Sequence, residues 1–190
     1  MKICMIEGCD RKRLAKGWCR MHYSRHRRTG DPLGAAPDER SDSEKFGDLV
    51  WVVESGCWLW LGSVTSQGYG SFTPSHASFY SAHRWAYAHF VGDLSDGDVV
   101  DHKCFTRSCV NPDHLRRSSP AQNNSNRSGP QKASRTGRRN VHETPTGKWM
   151  VRVSKDRRSH LGGTFDHVED AAIAASRLRE DLFGEFAGRG

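Results

Sequence analysis

Between Asp101 and Asn123 the chain reads DHKCFTRSCVNPDHLRRSSPAQN, and this stretch constrains the fold more than any other. Cys104, Cys109 and His114 lie close enough to clip one loop onto a single zinc ion, since thiolates and imidazoles are donors that zinc accepts readily. His102 stands just upstream, after Asp101, and the carboxamide of Asn123 stands just downstream. A candidate general base and a candidate ligand for a hard cation therefore flank a metal-pinned turn. Hydrolysis of a phosphodiester needs those two parts, and that is the chemistry this stretch predicts.

The six cysteines divide into two groups. Cys4, Cys9 and Cys19 accompany His22, while Cys57, Cys104 and Cys109 accompany His114. Each group is a three-cysteine, one-histidine set that completes a tetrahedral zinc site, and no cysteine is left over. The N-terminal MKICMIEGCDRKR lacks the apolar core of a signal peptide, so a reducing, cytoplasmic setting is expected. Cysteines there serve metals more often than disulfides. No apolar run approaches the length of a membrane span. Hydrophobic residues make up 35% of the 190, and the mean hydropathy is −0.75. That is too little for one large core, so small α+β modules stapled by zinc are the expected fold class. A net charge of +7 predicts a polyanionic partner, chiefly DNA.

Three modules follow from the pattern along the chain. The first, 1–31, carries C-x4-C-x9-C-x2-H. Cys19 and His22 are three apart and share a helix face that runs on through Tyr23 to Arg28, with Gly30 and Pro32 as its stop. This finger-like segment presents Arg25, Arg27 and Arg28 to a DNA backbone. Residues 32–43 read as a linker. The second module, 44–129, is expected to start with a short helix in EKFGDLVWVV. A strand follows over Cys57–Gly62, with Trp58 and Trp60 on one face, and then a helix in FYSAHRWAYAHFVG. Val99-Val100 begin a hairpin whose loop holds the zinc ligands, and a helix spans about Pro120–Arg127. A basic linker, 130–138, has almost nothing to bury and is expected to be disordered when free. In the third module, 139–190, KWMVRVS alternates with a period of two, a turn at Lys155-Asp156 leads to a second strand in RRSHLGG, and a helix follows. Asp166 and Glu169 are read as its capping box, Val168, Ala171, Ala172, Ala175, Leu178 and Leu182 as its apolar stripe, and Gly184 as its stop.

The middle stretch resembles the His-Cys box homing endonucleases, a branch of the HNH or ββα-metal nucleases. The likeness rests on the order and spacing of His102, Cys104, Cys109, His114 and Asn123, and on AHRWAYAHFVGDLSDGDVVDHKC and CVNPDHL. It covers about Cys57–Gly129. His114 stands where common HNH proteins carry their middle asparagine, as in the zinc-binding branch. The resemblance implies His102 as general base and selects Asn123, over Asn124 and Asn126, as ligand to one Mg²⁺ or similar cation. Asp101 is implied as a second ligand. The four-residue zinc site, with no open position, is expected to be structural. For Arg84 a contact to the phosphate near the cut and a plain salt bridge both stay open.

GKWMVRV, HLGGTFD, the EDAA helix start and LFGEFA resemble the AP2 DNA-binding domain. In that family the sheet lies in the major groove, which implies Arg139, Lys148, Arg152, Arg157 and Arg158 as contacts. The combined expectation is a Mg²⁺-dependent, site-directed DNA endonuclease of homing type with two structural zinc ions. It would belong to a phage or mobile element and act on double-stranded DNA in the host cytoplasm. Monomer and homodimer both stay open. Two alternatives are carried alongside: a non-catalytic DNA-binding regulator on a nuclease scaffold, and a defence or packaging nuclease of loose specificity.

Overall fold

The computed structural model describes residues 2–34, 40–75 and 80–190, so part of the expected linker and Phe79, at the start of the expected helix, lie outside the described residues. The chain divides into two units, Met1–Lys45 and Phe46–Gly190.

In the first unit, β1 (Arg13–Ala15) and β2 (Trp18–Cys19) form an antiparallel hairpin. Lys16 and Gly17 between them both have positive φ, 49° and 89°, the two-residue turn whose twist matches that of paired strands. The chain then enters α1 (Arg20–Thr29) with Cys19 at its N-cap. Gly30, in the left-handed region at φ 79°, ends it as expected, and its N–H donates to the His26 carbonyl. His26, Arg27 and Arg28 in the last turn suit the negative end of the helix dipole. The short helix α2 (Asp42–Gly47) straddles the division between the units. Ser41 and Glu44 cap it reciprocally: the Ser41 N–H donates to a Glu44 carboxylate oxygen at 2.7 Å, and the Glu44 N–H donates to the Ser41 hydroxyl oxygen at 3.2 Å.

The second unit is a series of two-stranded antiparallel ribbons followed by one three-stranded sheet. The expected helix in EKFGDLVWVV survives only in α2, and Val50–Val52 is instead a strand, β3, paired with β4 (Trp58–Trp60). A short apolar run fits either element, and pairing with β4 decides it. The strand β5 (Ser71–Phe72) pairs with β6 (Tyr80–Ser81), which leads directly into α3 (Ala82–Phe90). Then β7 (Val99–His102) pairs with β8 (Leu115–Ser118), and α4 (Pro120–Ser125) closes a ββα unit. Ser119 and Gln122 form a capping box at the start of α4, with Pro120 in its first turn. Phe46, Trp60, Phe72 and Trp85 fill the core beneath these ribbons together with Val100, Val110 and Leu115. The Phe46 ring stacks on Trp85 at 4.5 Å and meets Trp60 at 4.9 Å, so a few large rings supply most of the buried apolar area. Trp60 faces this core while Leu61 is exposed, as the alternation predicts.

The remaining sheet has the order β11-β10-β9, from β9 (Val141–Glu143), β10 (Trp149–Lys155) and β11 (Arg158–Phe165). Asp156 and Arg157, at φ 50° and 61°, make a two-residue turn between β10 and β11. Val151 and Val153 are buried, and Val141 and Val151 join Ala171 and Ala175 of α5 (Val168–Phe183) in a second core. The start of α5 differs from expectation. Asp166 does not cap α5: His167 is the N-cap residue, and the Asp166 carboxylate pairs with Lys148 across the sheet at 2.9 Å. The apolar stripe of α5 also continues into Arg179, which is 1% exposed. The linker 130–138 is not left loose either. The Thr136 hydroxyl donates to the Val141 carbonyl at 3.1 Å, and the backbone N–H of Ser134 donates to the Gln131 carbonyl at 2.9 Å.

Candidate active site

The chemistry-bearing residues collect where β7 ends. Pairing of β7 with β8 sets Asp101 opposite Arg116 and His102 opposite Leu115. The chain then loops through Cys104 and Cys109 and returns by a 3-10 turn, Pro112–His114. Asn111 holds that turn, accepting from the Asp113 N–H at 2.9 Å and donating to the Gly56 carbonyl at 2.6 Å. In this way the loop is tied to the segment that carries Cys57.

Cys57, Cys104, Cys109 and His114 place their ligand atoms within 4.8 Å of one another. The His114 Nδ1 lies 3.5 Å from the Cys57 sulfur and 3.6 Å from the Cys109 sulfur. A tetrahedral zinc with ordinary bond lengths sets sulfur and nitrogen about 3.6 Å apart, so the donor set and its spacing fit that ion. The Cys104 thiol is drawn down to about 4, first by hydrogen bonding from Cys109, whose own thiol is pushed up in return. The direction favours the thiolate, the form that binds a metal. The second set, Cys4, Cys9, Cys19 and His22, is equally close, with the His22 Nδ1 at 3.2 Å from the Cys4 sulfur and 3.5 Å from that of Cys19. Its donors fit zinc on the same grounds.

His102 is buried, and its Nε2 lies 3.0 Å from the Cys109 carbonyl oxygen. A carbonyl only accepts, so Nε2 carries the hydrogen and Nδ1 keeps the lone pair. The zinc-type loop thereby sets both the tautomer and the ring plane of His102. Burial holds this imidazole below its ordinary value, against the opposing pull of the Cys109 carbonyl, Cys104 and Asp101. A second histidine packs on it. His83, from α3, has its ring centroid 4.9 Å from that of His102, and Tyr69 lies 5.2 Å from His83. Burial, helped by His102 and Arg84, pushes His83 down to about 3, and its Nδ1 has no partner among the described residues.

Asp101 is 4% exposed, and its carboxylate is gripped from two sides. Arg116 donates to it through Nε and pairs through Nη2, both at 2.9 Å. Asn126 Nδ2 lies 3.0 and 2.8 Å from its two oxygens. The carboxamide that reaches Asp101 is therefore that of Asn126, just beyond α4. Asn123 sits half-buried within α4, its N–H on the Ser119 carbonyl, in a helix that packs against β7. A buried carboxylate beside a helix rich in carboxamides is an oxygen donor set suited to a hard cation. Arg84 forms no salt bridge among the described residues, and its Nη1 donates to the Asp98 carbonyl at 2.6 Å.

The residues expected to touch DNA differ in what occupies them. Arg27 and Arg28 are exposed on α1, while Arg25 donates to the Leu33 carbonyl at 3.1 Å. A cleft of about 580 Å³ beside α1 is lined by Arg11, Lys12, Arg20, Arg25 and Arg28. Arg152, Arg157 and Arg158 are exposed, and Lys148 is paired with Asp166. Arg139 does not face outward. Its guanidinium donates to the carbonyls of Ser125, Arg127, Ala187 and Arg189 at 2.9 to 3.2 Å, which makes it an internal pin in place of the expected DNA contact. Sequence reasoning missed Arg116, His83 and Tyr69. Only the Asp101–Arg116 register signals the first, and nothing local signals the other two.

With this geometry in view, the comparisons with known proteins are specific. Residues 80–125 match the HNH endonuclease family. Protein 2.8 of Escherichia phage T7 is 33% identical over 81 residues, covering 42% of this chain and 55% of that protein. The uncharacterized gene 5.3 protein of Enterobacteria phage T3 is 34% identical over 69 residues, covering 33% of this chain and 68% of that protein. The chain thus spans about half the length of the T7 protein. No solved structure matches.

Proposed function

The chain belongs to the phage family of the T3 gene 5.3 protein and carries an HNH endonuclease domain at residues 80–125, and from that premise we propose that it is a metal-dependent, site-directed DNA endonuclease of homing type. The observation that carries the reading is His102. Its Nε2–H is held on the Cys109 carbonyl, inside the zinc-type loop and next to buried Asp101. The Nδ1 lone pair is then available to take a proton from a water attacking phosphorus. Asp101 and Asn123 would hold a hard divalent cation such as Mg²⁺, whose chemistry is to stabilise charge on the phosphorane and on the departing 3′ oxygen. Arg84 keeps the part of its guanidinium not on Asp98 for a phosphate oxygen. Cys57, Cys104, Cys109 and His114 would hold zinc as a structural ion, tying the loop after β7 to the segment before β4 beside the aromatic core. The finger-like segment and the exposed face of the β11-β10-β9 sheet supply affinity and address.

The test uses zinc-loaded protein, Mg²⁺ and supercoiled phage DNA. Cleavage by the native protein and its loss in His102→Ala, by about 100-fold or more, with zinc content and DNA binding retained, is the expected result. A variant that cuts at the native rate would move the base elsewhere. Sequencing of the ends should return 5′ phosphates at recurrent positions, and scattered ends would remove the site-directed element.

A further inference from the structure

A second feature of the Phe46–Gly190 unit lies outside the cutting chemistry. A cleft of about 940 Å³ runs between the segment 124–139 and the strands β9 and β10. Arg127, Arg135, Arg138 and Arg152 line it, against Glu143 as its single lining carboxylate. Among the described residues, none of these four arginines has an acidic partner. At its back, Arg139 is pinned on backbone carbonyls, and Arg179 donates to the Arg139 carbonyl at 3.3 Å. The Nε and Nη2 of Arg179 are buried without partners. So much uncompensated positive charge on the walls and behind them makes the cleft a focus for an anion.

The shape narrows the anion. One wall is the linker, tied to β9 through Thr136 and the Val141 carbonyl, and the other is the sheet. A groove enclosed on two sides favours a single strand, whose backbone and bases can both touch the walls, over a duplex. Phe183 and Pro130 add apolar surface to the lining, the combination of cationic track and stacking surface that single strands favour. The cleft begins at Asn124 and Ser125, directly after Asn123 on α4. The cleft thus adjoins the helix that carries Asn123.

We infer that this cleft binds a single-stranded segment of DNA beside the cutting centre, so that the preferred substrate carries an unpaired strand next to the scissile bond. The second half of that statement rests on the nuclease reading, and the binding half does not.

The test takes the full zinc-loaded chain without added divalent cation and measures fluorescence anisotropy with labelled dT12 and with a 12-base-pair duplex over a KCl series. The double variant Arg135→Gln/Arg138→Gln should weaken dT12 binding by about tenfold or more. It should also flatten the slope of log affinity against log salt by about 1.4, from roughly 0.7 per lost phosphate contact. Its duplex binding should change less than about twofold. Arg157→Gln/Arg158→Gln, on the β10–β11 turn and outside the cleft lining, should show the reverse pattern. Unchanged dT12 affinity in the first variant, or equal losses for strand and duplex, would overturn the inference. With Mg²⁺ restored, a flapped substrate should be cut at least about fivefold faster than a continuous duplex, and equal rates would overturn the substrate preference. If dT12 binding behaves as described and nothing is cut, the cleft stands and the nuclease reading falls.

Discussion

At the scale of single residues, the environment of His102 makes a claim about pH. Burial lowers its pKa from the ordinary 6.5, so the neutral form, the one able to accept a proton, persists to lower pH than for a free imidazole. The acid limb of log kcat/KM should therefore have its midpoint below 6.5. A bound divalent cation would move it further in the same direction. A pH–rate profile at constant zinc content checks this, and a midpoint above 6.5 would contradict the buried-base assignment. Asp101 makes a second claim. Asn126 and Arg116 orient it, whereas Asn123 is the assigned metal ligand. Asn123→Ala should raise the Mg²⁺ concentration for half-maximal rate by about tenfold or more, the usual cost of damaging a metal shell, and Asn126→Ala should raise it less. Titrating Mg²⁺ into both variants decides the matter, and the opposite order would hand the ligand role to Asn126. The sequence places both carboxamides within a few residues of each other, and spacing alone does not say which one the helix turns toward Asp101.

The elements show where local patterns determine the result and where they are overruled. Turns and helix stops are legible because their physics is local. Gly30 ends α1 at positive φ, and the alternation of Trp149, Val151 and Val153 survives as β10. What fails depends on partners distant in sequence. Lys148 takes Asp166 away from the α5 cap, and β4 recruits Val50–Val52 out of a helix. The zinc-type loop is the element whose spacing alone is most telling, and it carries a stability prediction. Binding of structural zinc contributes on the order of 10 kcal/mol, comparable to the whole stability of a small domain. Cys109→Ser, at a fully buried position, should therefore unfold the β3 to α4 region and abolish cleavage. The core of Val141, Val151, Ala171 and Ala175 contains no metal ligand, so helical circular dichroism from α5 should partly remain. A zinc-free Cys109→Ser protein with native activity would show that the site is not structural.

Across the whole Phe46–Gly190 unit, two arginines join what the sequence presents as separate modules. Arg116 runs from Asp101 in the proposed active site to Glu185, with its guanidinium 3.9 Å from the Phe186 ring centroid. Arg139 gathers the carbonyls of Ser125 and Arg127, after α4, with those of Ala187 and Arg189. Burial, then Arg179 and Arg127, lower Arg139 to about 10, which leaves it charged at neutral pH and able to hold all four acceptors. Removing it strands carbonyls that have lost their donor, at about 1–3 kcal/mol for each one left buried. Because some of these carbonyls reach solvent once the pin is gone, about 2–4 kcal/mol in total is the expected loss for Arg139→Ala. The consequence should be a change of cooperativity as well as of stability. In a Trp149→Phe background, since Trp149 packs on the second core, the native unit should unfold in urea as one transition, whether followed by tryptophan fluorescence from the Trp60–Trp85 core or by the far-ultraviolet signal of α5. In Arg139→Ala the two probes should separate, since each core buries its own apolar residues and the pin supplies most of the hydrogen bonds between them. Coincident transitions in the variant, at an unchanged midpoint, would mean that the two cores are coupled by other contacts and that Arg139 is dispensable to the joint.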